Sequence, residues 1–207
     1  MTYRHIAEQL LDIGALIIRD KDHLFTWASG IRSPIYCDNR LTLSFPVVRD
    51  AIAEAFVDKM RELEPVDAIV GTATAGIAHA AYLSQKLDLP MAYVRSSAKD
   101  HGKGEQIEGI VLEGDKVVLI EDLISTGGSS LKAALALQAA GAEVVSVLSI
   151  FTYGFTEAAK AFEEAGIPVW SITDYAEVLA LAKERGGVSS EDAELLAQWS
   201  QNPRMFT

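Results

Sequence analysis

Residues 117–130 read Val-Val-Leu-Ile-Glu-Asp-Leu-Ile-Ser-Thr-Gly-Gly-Ser-Ser, and few folds can use that order. Val117, Val118, Leu119 and Ile120 form a run of branched apolar residues, as in a strand buried on both faces. Two carboxylates, Glu121 and Asp122, arrive at its C-terminal end. Leu123 and Ile124 lead into a loop of Ser125, Thr126, Gly127, Gly128 and Ser129, and residues 131–140 read as a helix. Gly127 and Gly128 permit a tight turn and close backbone approach. A helix that starts there turns its N–H groups and the positive end of its dipole toward the loop, which favours an anion.

An anion cradle beside two acids is an odd pairing, because like charges repel. It makes sense for a ligand that carries hydroxyls a few ångströms from its phosphate. Ionised carboxylates only accept hydrogen bonds, and vicinal ribose hydroxyls donate them. A ribose 5-phosphate satisfies both halves. Two rival phosphate motifs fail on spacing: Ser129, not Lys, follows Gly128, which excludes a Walker A loop, and no G-x-G-x-x-G is present.

The other residues read as alternating strands and helices, the pattern of a parallel sheet. Residues 2–19 are expected to form an amphipathic helix with Ile6, Leu10, Ile13 and Ile17 on one face. Residues 24–27 and 34–38 read as short strands around Ser29 and Gly30. Ser44 and Pro46 read as a helix cap and first turn, with Val48, Ile52, Phe56 and Met60 facing the core. Strands are expected at 67–70, 90–94, 117–120, 144–150 and 168–172, and helices at 77–86, 154–166, 174–185 and 190–199. Ligands in such sheets bind beyond the carboxyl ends of the strands. Three loops stand there: 71–76, 95–109 and 121–129.

The chain has 207 residues and a formal net charge of −11, which argues against a nucleic-acid-binding surface. A polyanionic ligand then needs a local basic cluster. Residues 95–109 supply one, with Arg95, Lys99, His101 and Lys103 among three glycines, in a stretch long enough to act as a lid. No apolar run has the length of a membrane span. Cys37 is the one cysteine, so no intrachain disulfide forms, which fits a reducing cytoplasm.

The 117–130 stretch resembles the phosphoribosyl-pyrophosphate (PRPP) motif of type I phosphoribosyltransferases. Loop 71–76 resembles that family's diphosphate-binding loop. Ala28-Ser29-Gly30, Ser33 to Tyr36, Asp38 to Arg40, and the Arg95, Lys99, Asp100, His101 series are similar to orotate phosphoribosyltransferases in particular. The resemblance implies one domain over 1–207: an α/β fold with a mainly parallel central sheet flanked by helices (core about 43–165) and a small hood (about 1–42) completed by C-terminal elements. It implies transfer of phosphoribosyl from PRPP to orotate in pyrimidine synthesis, with magnesium held through the substrate and not by a dedicated protein cage. Lys99, Arg95, His101 and Asp122 would be catalytic. PRPP would be held by Arg95, Lys99, His101 and the run Glu121, Asp122, Leu123, Ile124, Ser125, Thr126, Gly127, Gly128, Ser129. Orotate would meet Ser125, Tyr36 and Arg40. A homodimer with shared sites is implied, each lid serving its neighbour.

The sequence departs from that family at several positions. Ala28, Ala75 and Ser96 stand where many members have Lys, and Tyr153 stands where many have an Arg toward the orotate carboxylate. Two rival functions remain: a phosphoribosyltransferase for another base, and a non-catalytic PRPP sensor that binds nucleic acid. The first is opposed by the hood residues and the basic loop, the second by a sequence pI near 4.8.

Overall fold

A computed structural model describes residues 3–27, 30–97 and 106–206. Helix α1 (Arg4–Asp12) buries Ile6, Ala7 and Leu10. It stops well short of residue 19, because Gly14 takes a left-handed φ of 73° and turns the chain. The apolar run that follows becomes strand β1 (Leu16–Ile18), and Ile17, expected on a helical face, is 40% exposed. Two small antiparallel ladders follow. β2 (Phe25–Thr26) pairs with β3 (Arg32–Ser33), and β4 (Ile35–Cys37) pairs with β1. The two strands expected on either side of Gly30 thus find different partners.

A 3-10 turn (Asn39–Ser44) leads into α2 (Pro46–Met60). Pro46 takes the first helical position as expected, but the cap position belongs to Phe45 and not Ser44. Then come β5 (Ala68–Thr72), α3 (Gly76–Leu87), β6 (Met91–Val94), β7 (Ile107–Glu108), β8 (Lys116–Ile124), α4 (Gly128–Ala139), β9 (Glu143–Thr152), α5 (Thr156–Glu164), β10 (Val169–Asp174), α6 (Tyr175–Glu184) and α7 (Ser190–Ala197).

The six-stranded sheet runs β10-β9-β8-β5-β6-β7, parallel throughout except for β7. Its central strands are buried on both sides, which is why Val117 to Ile120 show no polar alternation. Val118 and Ile120 face one apolar cluster with α1, α2, α3 and α6. Val117 and Leu119 face the other, with α4 and α5. The first cluster also reaches the small ladders through Leu16 and Ile35, the last helix through Leu196, and the turn after it through Trp199. The indole Nε1 of Trp199 donates to the carbonyl of Arg32 at 3.0 Å. The C-terminal helices therefore hold the N-terminal ladders over the sheet.

Candidate active site

Strand β8 runs four residues further than expected, so Glu121 and Asp122 are strand residues and not loop residues. The extension is held by β9, with Leu123 opposite Phe151 and Ile124 opposite Thr152. This gives the two acids a fixed backbone.

Gly76 opens α3 hard against this strand. A Cβ there would lie 2.3 Å from the carbonyl oxygen of Ile120 and 3.4 Å from the Cα of Glu121. The absence of a side chain thus lets the start of α3 and the loop before it, whose Ala73–Thr74 peptide is cis, reach the acids.

Glu121 is only 5% exposed. Its Oε1 accepts from the N–H of Asp122 at 3.0 Å, while its Oε2 is buried with no hydrogen-bond partner among the described residues. Thr72, at the end of the neighbouring strand, likewise buries an unpartnered hydroxyl oxygen. Burial raises the Glu121 carboxyl well above its ordinary value, and the Asp122 charge beside it adds to the rise. Burial also raises Asp122, against lowering contributions that include the Arg40 guanidinium. Two buried carboxyls that resist ionising together need outside donors, and a vicinal diol supplies them.

A polar chain behind the acids was not legible in the sequence. Asn39, 1% exposed, donates from Nδ2 to the carbonyl of Asp122 at 2.7 Å. Its own carbonyl accepts from Thr42 Oγ1 at 2.6 Å, and Thr42 Oγ1 lies 3.3 Å from His79 Nε2. The Thr42 proton is committed to Asn39, so Thr42 must accept from His79, which places the ring proton on Nε2. Burial, helped by Arg49, pushes His79 down to about 4, so the ring stays neutral. Three separate elements, α3, the 3-10 turn and β8, are thus tied together at Asp122.

Beyond β8 the turn is short. Gly127 has φ 79°, and a Cβ there would meet Phe162 Cε2 at 3.0 Å. Gly128, read above as a second turn glycine, is the first residue of α4, and its nearest neighbour is 3.9 Å away. No side chain caps α4. The first N–H groups of a helix lack partners within it, and those of α4 follow directly on the Ser125, Thr126 and Gly127 turn, as an anion site requires.

Arg95 follows β6, and its Nη1 lies 3.6 Å from Glu108 Oε1. Tyr36 is half exposed on β4, with its ring 5.6 Å from that of Phe25. Arg40 forms a two-pronged pair with Asp38, Nε to Oδ1 at 2.6 Å and Nη2 to Oδ2 at 2.8 Å. Tyr153 is buried among Trp27, Phe151, Phe155 and Trp199, and burial raises its phenol so that it stays neutral. Lys99 and His101, and Ala28 and Ser29 of the hood, lie outside the described residues.

Comparison with known proteins agrees with this geometry. The profile of the phosphoribosyl transferase domain matches residues 44–165. The orotate phosphoribosyltransferase of Listeria monocytogenes is 55% identical over 201 residues, covering 97% of this chain and 96% of that one. The Bacillus subtilis enzyme of the same name is 56% identical over 199 residues, covering 96% and 92%. Among solved structures, the orotate phosphoribosyltransferase of Aeropyrum pernix superposes with a TM-score of 0.75 at 28% identity, over 88% of this chain and 98% of that one. The fold, the buried acids at the end of β8 and these full-length relatives converge: the chain belongs to the orotate phosphoribosyltransferases, within the type I phosphoribosyltransferase fold.

Proposed function

We propose that the protein transfers the 5-phosphoribosyl group of PRPP to orotate, giving orotidine 5′-monophosphate and pyrophosphate. The observation that carries this reading is the buried, unpartnered Glu121 oxygen beside Asp122 at the end of β8, next to a helix N-terminus that no side chain caps. The C1′–O bond breaks with its electron pair leaving on pyrophosphate. The bond from N1 of the base to C1′ forms, and the N1 proton leaves to the departing diphosphate or to solvent. Glu121 and Asp122 hold the ribose hydroxyls, and the 125–129 turn holds the 5′-phosphate. Arg95, with Lys99 and His101, brings positive charge to the departing diphosphate, where it matters most. Magnesium, when bound, neutralises diphosphate charge. Glu121 and Asp122, once ionised against a bound ligand, would accept hydrogen bonds from its ribose hydroxyls or from water on the metal. Among the described residues no cluster of three potential ligands exists to cage it.

The test is an absorbance assay with orotate and PRPP, with and without magnesium, run beside uracil and purine bases. Magnesium-dependent consumption of orotate alone is expected. Equal use of uracil would remove the orotate assignment and leave only the broader transferase.

The working form is a homodimer in the cytoplasm, in which each chain's lid serves the other's site. The shared dimer rests on the resemblance of the 95–109 loop to that of the orotate phosphoribosyltransferases, and the compartment on the lone cysteine. No described helix is long and apolar enough to cross a membrane. Inactive Lys99→Ala and Asp122→Ala proteins should regain roughly a quarter of wild-type activity after subunit exchange, since half the dimers are mixed and one of their two sites carries neither change. No recovery after verified exchange would mean that each chain completes its own site.

A further inference from the structure

The carboxylate of an acidic base needs cations, and the charged hood residue expected to serve it is already engaged. The Arg40 fork is taken by Asp38. Tyr153 can offer one neutral hydroxyl and no charge.

A cavity of about 730 Å³ runs from the phosphate turn to the hood, with Ser125 on one side and Trp27 on the other. Its far wall joins the first turn of α5 to the tail beyond α7 and includes Lys160 and Arg204. The tail is fixed there: Gln201 Oε1 accepts from Thr156 Oγ1 at 3.3 Å, and Met205 and Phe206 pack back onto the core. Among the described residues neither Lys160 nor Arg204 has an ion-pair or hydrogen-bond partner. Most described cations elsewhere in this acidic chain are paired: Arg61 with Asp58, Lys86 with Asp50 and Glu54, Arg185 with Asp12.

We infer that Lys160 and Arg204 form the carboxylate subsite for the base, an element of specificity supplied by α5 and the C-terminal tail. This rests on orotate being the acceptor. Trp27 offers a flat apolar wall for a pyrimidine ring, and Ser125, the first residue after β8, offers a hydroxyl between ring and ribose. The two cations lie across the same cavity, where an anion entering a protein of net charge −11 finds a favourable field. Glu157 also lines the cavity and opposes the anion, so the cations do not stand in surplus.

The experiment is steady-state kinetics on Lys160→Gln, Arg204→Gln and the double variant, with Lys160→Arg as the conservative control. Both cations are exposed, so folding should persist, and thermal melting checks it. Each single variant should raise KM for orotate roughly tenfold, and the double roughly a hundredfold, as expected for lost charged hydrogen bonds. KM for PRPP should stay within about twofold, since only the base half loses a partner. The preference of the double variant for orotate over uracil should fall by the same factor, and Lys160→Arg should keep most of it. A raised KM for PRPP with unchanged KM for orotate would assign the cations to the 5′-phosphate and overturn the inference. An unchanged KM for orotate in a folded double variant would overturn it too, while leaving the transferase reading intact. Wild-type protein idle on orotate would sink both.

Discussion

Gly76→Ala should lower the thermal midpoint by about 6–12 °C and remove most activity, the largest stability effect expected of any single methyl group in the site. The new Cβ would sit 2.3 Å from the oxygen and 3.2 Å from the carbon of the Ile120 carbonyl. Both are backbone atoms of a central strand paired on both sides, so no side chain can swing away. The remaining response is to move α3 off β8, which costs roughly 3 kcal/mol as overpacking. That movement also shifts His79, and with it the hydrogen-bonded chain through Thr42 and Asn39 to Asp122. Gly128→Ala is the matched control. Its nearest neighbour is 3.9 Å away, so the fold should be indifferent to it. Melting curves read both, and a Gly76→Ala protein that melts with the wild type would show that α3 is not seated against β8 as described.

The contrast between these glycines shows how far the sequence reaches. Gly127 and Gly128 look equivalent in sequence, yet only Gly127 carries a positive φ, because the turn is one residue shorter than the Ser/Thr/Gly composition suggests. The parallel core was legible because burial on both faces leaves a local mark, an unbroken branched apolar run such as 117–120. The ladders over the sheet were not. Ile13 and Ile17 fit a helical period, but Gly14 breaks the helix and β4 claims Ile17, a choice made by a distant strand. The acids and the phosphate turn were legible because they are contiguous. Thr72, Asn39, Thr42 and His79 were not, since their tie to the acids is tertiary and each is ordinary in its own stretch. Lys160 and Arg204 come from separate elements that meet Ser125 only when the tail folds back over α5.

Glu121→Gln should cut kcat/KM for PRPP by roughly a hundredfold, the effect of losing charged hydrogen bonds to a ribose hydroxyl. It should at the same time make the unliganded protein more stable at pH 8. The two effects share one cause. In the empty site Glu121 is buried beside Asp122, with one oxygen unpartnered, and its carboxyl is raised well above 4.5. A carboxyl raised in the folded state favours the protonated fold. Its stabilising contribution is complete below the unfolded value near 4.5 and is lost as pH climbs through the raised folded value. Glutamine keeps the shape and never ionises. The gap in melting temperature between variant and wild type should therefore be small near pH 4.5 and widen steadily toward pH 9. Asp122→Asn should lose PRPP use similarly and gain less stability, because Arg40 already offsets part of its burial. Saturating PRPP should reverse the order, stabilising wild type more than either variant, since only the wild-type carboxylates gain the donors they lack. A Glu121→Gln protein less stable than wild type at pH 8 without ligand would mean that the carboxylate is satisfied in the empty fold. The acids would then be part of the scaffold and not a site held open for ribose.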